Sequence, residues 1–361
     1  MALDRITLAT FRNHAATRLD GALRFNLLVG ENGAGKTNVL EALSLLAPGR
    51  GLRRAALADM AGQGGSGAFA VSAALDTGDG AEAVTLGTAI AADAPGRRIV
   101  QINGASASAL ALGEWLALGW LTPAMDRLFA DSASARRRYL DRLALALDPQ
   151  HARHAARYEA ALRERNRLLA DEADPDPLWL TSIEGQLAEA GALLASGRAR
   201  LVDQLGAALE QLPPQPFARP TLTYVAGGAL TTEDLAADLS RQRMRDRAAG
   251  RTLSGPHRDE LQVVMSGKEV AAAQCSTGEQ KAMLIAITLA HAELAAKGRP
   301  GLLLLDEVAA HLDPLRRAAL FDRLRASVTQ VWLTGTELAP FEDIVAEAAV
   351  WRVAGGAVER L

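Results

Sequence analysis

The sequence has 361 residues, of which 49% are hydrophobic, and a formal net charge of −3. This length allows two domains or one domain with a large insertion. A single cysteine, Cys275, excludes an internal disulfide and a metal site built from paired cysteines, which fits a reducing cytoplasm. The chain opens directly into a strand pattern, and no apolar run approaches about 18 residues. We therefore expect neither a signal peptide nor a membrane span.

The most specific motif is a phosphate-binding loop with the pattern G-x-x-x-x-G-K-T, preceded by an apolar strand pattern at 25–29 and followed by a helical pattern at 38–47. Glycines let consecutive backbone N–H groups turn towards phosphate oxygens, and the helix N-terminus adds partial positive charge. The lysine of such a loop reaches the β and γ phosphates, and the threonine hydroxyl binds Mg²⁺. The motif predicts that a nucleoside triphosphate is bound by Gly30, Glu31, Asn32, Gly33, Ala34, Gly35, Lys36, Thr37 and Asn38.

The rest of the first hundred residues reads as strands. Residues 3–11 alternate apolar and polar residues like a half-buried strand. Residues 68–76 and 82–90 predict two strands joined by a turn at 77–80, and Asn103-Gly104 predicts a further hairpin turn.

From about residue 106 to 250 the sequence is rich in Ala, Leu and Arg at helical spacing. Helices are predicted over 131–147, 149–171 and 178–212, which indicates a compact helical insertion. Arginine is concentrated here, with nine arginines against five acids in 131–170 and six against one in 241–258. A nucleic-acid partner would meet this segregated charge, although solvated helix faces explain single arginines equally well.

Strand character returns at 261–265, and a helix start follows. Ser276 and Glu279 form the S-x-x-E pattern of a capping box, and Lys297, Gly298 and Pro300 close the helix in the expected order. Gly278 in the first turn leaves the helix N-terminus open to an anion.

The stretch 302–305 predicts a fully buried strand that ends in two carboxylates. Acids at the carboxyl end of such a strand are where α/β folds place metal–phosphate chemistry. We predict that Asp306 binds Mg²⁺ and that Glu307 orients or deprotonates the attacking water, which makes both, with Lys36, the candidate catalytic residues. A strand at 331–334 and a hairpin turning at Gly355-Gly356 complete the chain.

The motif order is similar to that of ABC-type ATPases, and its division by an insertion resembles the heads of SMC proteins. The chain most closely resembles the RecF family of bacterial recombination proteins. The resemblance is carried by Phe11-Arg12-Asn13-His14, Gly30 to Leu40 followed by Glu41-Ala42, Pro48-Gly49-Arg50, Arg136-Arg137-Arg138-Tyr139-Leu140-Asp141 and Ser254-Gly255-Pro256-His257-Arg258-Asp259. It implies an α/β fold, an ABC-type, SMC-like P-loop ATPase head formed by 1–105 and 251–361, with an inserted all-helical arm at 106–250.

The resemblance further implies an ATP-dependent homodimer in which two heads enclose ATP and Mg²⁺. Ser276 and Gly278 would contact the γ-phosphate of the partner's nucleotide, Asp313 would lie at the dimer seam, and Arg12 and Asn13 would lie beside the nucleotide. It also implies binding of double-stranded and gapped DNA, partnership with RecR and RecO, and help in loading RecA on single-stranded gaps.

Three departures from ABC-type ATPases point to weak ATPase activity, as expected of a switch. Thr277-Gly278-Glu279 replaces the double glycine of transporter signatures, Thr334 stands where a histidine is usual, and no convincing Q-loop glutamine is found, with 120–123 a candidate for that region. Two alternatives stay open: an SMC-like structural DNA clamp and a transporter-type ATPase subunit. Whether Arg136, Arg137 and Arg138 meet phosphate or acids of the same arm is also open, whereas His257 and His291 are expected to be structural.

Overall fold

The computed structural model of the protein describes residues 3–62, 67–76, 82–171, 173–213 and 215–361, apart from the side chain of residue 311. Its strands are β1 (Leu3–Phe11), β2 (His14–Asp20), β3 (Phe25–Val29), β4 (Phe69–Leu75), β5 (Val84–Ala91), β6 (Ala94–Ile102), β7 (Ala105–Ser106), β8 (Ala117–Leu121), β9 (Pro220–Val225), β10 (Glu260–Met265), β11 (Val270–Ala271), β12 (Gly301–Leu305), β13 (Gln330–Gly335), β14 (Ala348–Ala354) and β15 (Ala357–Arg360). Its α-helices are α1 (Lys36–Ser44), α2 (Leu112–Trp115), α3 (Ala133–Leu147), α4 (His151–Ala170), α5 (Pro177–Glu210), α6 (Thr232–Arg241), α7 (Arg243–Ala248), α8 (Thr277–Ala295), α9 (Pro314–Ala326) and α10 (Glu342–Val345).

The chain forms two compact units. The first comprises Met1–Asp126, Gln215–Phe217 and Leu284–Leu361, and the second comprises Arg127–Pro214 and Ala218–Met283. Residues from both ends of the sequence therefore build the first unit. None of the helices in the described ranges is long and apolar enough to cross a membrane.

A six-stranded sheet with the order β15-β14-β3-β13-β12-β8 lies in the first unit, and all its pairings except β14 with β15 are parallel. Every residue of β3 and β13 is buried, as are the last four residues of β12. Continuous apolar runs are typical of parallel strands covered on both faces. The strands predicted at 25–29, 302–305 and 331–334 are confirmed.

The second sheet of this unit is antiparallel, with the order β2-β1-β4-β5-β6-β7. The predicted pairing of two strands before residue 91 is confirmed as β4 with β5, while the turn predicted at 77–80 lies outside the described residues. The hairpin predicted at Asn103-Gly104 is confirmed, because both residues have positive φ, 50° and 77°, as a two-residue turn between β6 and β7 requires.

Helix α1 contributes to the same hydrophobic core as both sheets. Val39, Leu40 and Leu43 of this helix are fully buried in one cluster with Leu8 of β1 and Trp332 of β13. Their spacing of three and four residues is the apolar stripe that the sequence predicts for 38–47. The core thus fixes the helix that begins at the phosphate-binding loop.

The second unit contains helices α3 to α7 and a three-stranded antiparallel sheet with the order β11-β10-β9. The helices predicted at 131–147, 149–171 and 178–212 are confirmed as α3, α4 and α5. The prediction that 106–250 is all helical needs correction in two places. β8 pairs with β12 in the parallel sheet. β9 pairs with β10, and its residues 221–225 alternate between exposed and half-buried, as the period of a strand requires.

Candidate functional site

The phosphate-binding loop, residues 30–35, connects β3 to α1 and is held by the turn between β1 and β2. Asn13 Nδ2 donates to the carbonyl oxygen of Ala34 at 3.0 Å, and His14 Nε2 lies 3.1 Å from the carbonyl oxygen of Gly35. Gly35 has φ +117°, and a Cβ there would come within 2.7 Å of Asn13 Nδ2 and 2.9 Å of His14 Nε2. The Phe11–His14 motif therefore has a physical role: it packs against the loop from behind.

Lys36 is the first residue of α1, and its buried ammonium group is hydrogen-bonded to the backbone at the start of the same loop. Nζ donates to the carbonyl oxygens of Gly30 at 2.6 Å and Glu31 at 2.8 Å. Burial lowers the pKa of Lys36, and the nearby carboxylates of Glu307 and Asp306 oppose that shift. A cation thus lies beside two carboxylates at the carboxyl ends of the parallel strands.

Asp306, at the end of β12, is the centre of the site. Thr37 Oγ1 donates to Asp306 Oδ1 at 2.9 Å, and Thr334 Oγ1, from the end of β13, donates to the same oxygen at 2.8 Å. The Asp306 backbone N–H donates to the carbonyl oxygen of Leu121, at the end of β8. Three neighbouring strand ends and α1 therefore converge on one residue, Asp306.

Glu307 follows Asp306 in a rare backbone conformation, with φ +53°. For a residue with a Cβ, the left-handed region costs about 1 kcal/mol or more, and such residues cluster at functional sites. The Glu307 N–H donates to Thr334 Oγ1 at 2.9 Å, which holds this conformation. Thr334 thus fixes both carboxylate residues, a role that the sequence did not reveal.

Thr37 and Asp306 together suit Mg²⁺. Their oxygen atoms are adjacent, and Mg²⁺ prefers oxygen ligands, usually one or two carboxylates completed by substrate phosphates and water. Among the described residues, no three or more His, Cys, Asp or Glu side chains are grouped so as to hold a metal ion by themselves. The donor set therefore fits a metal that is shared with a phosphate ligand.

Glu41 on α1 organises the arginines beside the loop, a role that the sequence analysis did not assign to it. Its fully buried carboxylate accepts two hydrogen bonds from Arg12, both at 2.9 Å, and one from Arg53 at 2.7 Å. Arg53 also donates to Asn38 Oδ1, and Asn38 Nδ2 donates to Asn13 Oδ1, both at 2.7 Å. Because Glu41 lies within an apolar helical pattern, only its long-range arginine partners reveal its role.

Asp313 begins α9, where its carboxylate accepts a hydrogen bond from the Arg316 backbone N–H at 2.9 Å. It is a helix cap with a half-exposed side chain, which leaves part of the carboxylate open to solvent.

In the second unit, the predicted capping box at the start of α8 is confirmed. The Glu279 N–H donates to Ser276 Oγ at 3.3 Å, and the Ser276 N–H donates to Glu279 Oε2 at 3.0 Å. Hydrogen bonds from Lys268 and Ser276 lower the pKa of Glu279 to about 2. Gly278, in the first turn, carries no side chain to cover the helix N-terminus.

The motifs at 136–141 and 254–259 also meet in the second unit. Arg136 makes a bidentate ion pair with Glu260, both bonds at 2.7 Å, and Arg198 bridges Asp141 at 2.8 Å and Asp259 at 2.7 Å. His257 is hydrogen-bonded to Tyr158 at 2.7 Å and to the carbonyl oxygen of Thr252 at 3.0 Å, so its structural role is confirmed. Much of both motifs is therefore scaffold, and Arg136 pairs with an acid.

Comparison with known proteins gives these motifs a context. A family described as the RecF/RecN/SMC N terminal domain matches residues 2–350. The chain is 47% identical to the DNA replication and repair protein RecF of Mesorhizobium japonicum, over 99% of this chain and 97% of that protein. The protein of the same description from Brucella suis is 45% identical, over 99% and 95%.

This chain belongs to the RecF family. Solved structures agree on the fold. The recombination mediator protein RecF-ATPrS in the RecFOR pathway superposes with a TM-score of 0.87 at 22% identity, covering 100% of this chain and 99% of that one. An Smc head bound to the C-winged helix domain of ScpA gives 0.57 at 16% identity, covering 100% and 97%. The predicted ABC-type, SMC-like head is thus confirmed for this RecF-family chain.

Proposed function

We propose that this RecF-family chain is an ATP-dependent DNA-binding protein of recombinational repair and replication-fork maintenance that works as an ATP-gated homodimer. The observation that carries the proposal is the convergence of Lys36, Thr37, Asp306 and Glu307 at the carboxyl ends of parallel strands. The names of the RecF relatives, and a solved RecF structure described with ATPrS, support both the process and the nucleotide.

Each site residue has a role in this proposal. The loop residues 30–35 and Asn38 surround the phosphates with backbone N–H groups, while Lys36 neutralises phosphate charge. Thr37 and Asp306 hold Mg²⁺, which supplies further charge neutralisation when bound. Glu307 orients the attacking water. Arg12, bound to Glu41 of α1, and Asn13, bound to Ala34 of the loop, lie beside the nucleotide and hold α1 and the loop in position.

Dimerisation assigns roles to residues that face a second copy. Ser276 and Gly278, at the uncovered N-terminus of α8, contact the γ-phosphate held by the partner, and Asp313 lies at the seam. ATP then favours the dimer, because a ligand that binds only the paired state stabilises it. Thr334 in place of a histidine makes hydrolysis weak, so that the dimer persists until the γ-phosphate is lost.

The same family membership supports the proposed partners. We propose that the dimer binds double-stranded and gapped DNA, works with RecR and RecO, helps load RecA on single-stranded gaps, and acts in the cytoplasm. The RecFOR pathway in the description of the solved RecF structure supports the RecR and RecO assignment.

Sedimentation of the wild type and three variants, with and without ATP and Mg²⁺ and then with short duplex DNA, tests the proposal. We expect ATP to drive the wild type to a dimer that binds DNA. Lys36→Arg should stay monomeric, and Glu307→Gln should accumulate as dimer. Lys297→Arg, at an exposed lysine, is the matched control and should behave like the wild type. A wild type that stays monomeric in every condition would contradict the trans roles of Ser276 and Gly278.

A further inference from the structure

Two arginines of the second unit stand apart from the ion pairs that surround them. Arg258, within the 254–259 motif, is exposed; its backbone N–H donates to the carbonyl oxygen of Gly255 at 2.8 Å, but its guanidinium forms no hydrogen bond or ion pair with any described residue. Arg137 is half-buried and donates through Nη1 to the backbone carbonyl oxygen of Asp259 at 2.9 Å, so its guanidinium contacts the residue that follows Arg258 in the chain. Neither arginine has a carboxylate partner within ion-pair distance among the described residues.

The nearby carboxylates are already occupied. Asp259 is buried, and its oxygens accept hydrogen bonds from Arg198, from the Tyr224 hydroxyl at 2.6 Å and from the Gly227 N–H at 2.8 Å. Glu260 is bound in bidentate fashion by Arg136. The acids therefore have partners of their own, which leaves Arg137 and Arg258 without a carboxylate in direct contact among the described residues.

The backbone that carries Arg258 is held by close contacts. Gly227 approaches the Arg258 backbone so closely that a Cβ would lie 2.5 Å from the Arg258 carbonyl carbon, and Arg198 donates to the carbonyl oxygen of Pro256 at 2.7 Å. Burial lowers the pKa of Arg137, and the charges of Arg198 and Arg258 lower it further, whereas Glu260 and Asp259 oppose this effect. Neighbouring cations held at a fixed distance repel each other unless an anion joins them.

We propose that Arg137 and Arg258 form a phosphate-binding site on the second unit. The guanidinium groups match phosphate oxygens in charge and in hydrogen-bonding geometry. Two sources of phosphate fit this chemistry: the backbone of duplex DNA, and the nucleotide held by a second copy of the chain. The proposal that the phosphate comes from DNA rests on the proposed function. It would give a purpose to the meeting of the motifs at 136–141 and 254–259 around the buried ion pairs of Arg198.

Anisotropy of labelled short duplex DNA, measured over a range of salt concentrations, tests the site. Arg258→Gln and Arg137→Gln should each weaken DNA binding about tenfold at about 0.1 M salt and lower the slope of log affinity against log salt by about 0.9. Arg258→Lys should keep most of the slope because it keeps the charge. Arg163→Gln is the control, since Arg163 is an exposed arginine with a carboxylate partner, Glu159, at 3.8 Å. Thermal unfolding shows whether each variant is folded, and Arg258→Gln removes no side-chain hydrogen bond or ion pair within the described residues.

The two sources give different results. If the nucleotide is the ligand, both glutamine variants keep the DNA slope but need several-fold more ATP to dimerise in sedimentation. If both variants match Arg163→Gln in DNA binding and in ATP-driven dimerisation, the site does not exist, although the proposed function stands. If the wild type binds no duplex and does not dimerise, the proposed function fails, and the phosphate site is refuted with it.

Discussion

Gly356, in the hairpin between β14 and β15, is predicted to support the phosphate-binding loop, which lies more than 300 residues earlier in the sequence. Its N–H donates to the carbonyl oxygen of Ala34 in the phosphate-binding loop at 3.0 Å, and its own carbonyl oxygen accepts from Thr17 at 3.2 Å. With φ +83°, a Cβ at this position would lie 1.9 Å from the backbone oxygen of Asn13. The change Gly356→Ala therefore forces backbone to move, since no flexible side chain can yield.

The structure gives the size of the effect. The left-handed conformation costs alanine about 1 kcal/mol, and about 1 kcal/mol is at risk in each of the bonds Gly356–Ala34, Thr17–Gly356 and Asn13–Ala34. We expect Gly356→Ala to lower the free energy of unfolding by about 4 kcal/mol. Gly355, the neighbouring residue of the same turn, has φ +55° and nothing within 4 Å of its Cβ position. Gly355→Ala should therefore cost only about 1 kcal/mol.

Urea unfolding followed by tryptophan fluorescence measures both variants, because Trp332 and Trp351 are buried and stacked at 5.2 Å in the first unit. Binding of a fluorescent ATP analogue should weaken at least tenfold in Gly356→Ala, because the loop loses its support, and stay unchanged in Gly355→Ala. Equal stability and equal ATP affinity in the two variants would refute the coupling between the hairpin and the loop.

Two further predictions concern Thr334 and His257. Thr334→Val keeps the side-chain volume but removes the hydroxyl that is hydrogen-bonded to both Asp306 and the Glu307 N–H. ATP hydrolysis should therefore fall at least tenfold while ATP binding is retained. The control is Thr329→Val, at another threonine of the first unit, and equal turnover by the two variants would contradict the prediction. Burial lowers the pKa of His257, helped by Arg258 and Arg137 and opposed by Asp259 and the Thr252 carbonyl. The folded state therefore favours neutral His257, and its contribution to stability is present above the unfolded pKa of about 6.5 and is lost as the pH falls towards the lower folded value. In urea titrations, His257→Gln should lose less stability than the wild type between neutral pH and about pH 5; identical pH profiles would show that His257 does not titrate on unfolding.

The parts of the fold that the sequence predicted are those with a strong local signal. β3, β12 and β13 were recognised because buried parallel strands are continuous apolar runs, and the start of α8 because Ser276 and Glu279 are a capping pair. β9 was missed because a short strand whose only buried residue is Pro220, and whose other residues alternate between exposed and half-buried, gives a weak signal among helices.

The sequence predicted the site residues that belong to a known motif. It missed those whose role depends on contacts with residues that are distant in the sequence. Lys36, Thr37 and Asp306 belong to known patterns, and the structure brings Thr37 and Asp306 together. By contrast, Glu41 is recognisable only through Arg12 and Arg53, and Gly356 only through its approach to Asn13. Such contacts depend on how the strands are ordered in the sheet, which no local pattern encodes.

The order of strands has a consequence for synthesis of the chain. β3 leads into the phosphate-binding loop, yet its sheet neighbours are β13 and β14, with Phe25 opposite both Val331 and Ala348. A ribosome emits β3 and the loop long before it emits β13 and β14, and pairing of strands so far apart in sequence is slow because the long connecting chain must first be closed. The nascent polypeptide must therefore expose the edges of β3 until β13 and β14 have been synthesised, which makes the β3 segment the expected binding site for chaperones during synthesis.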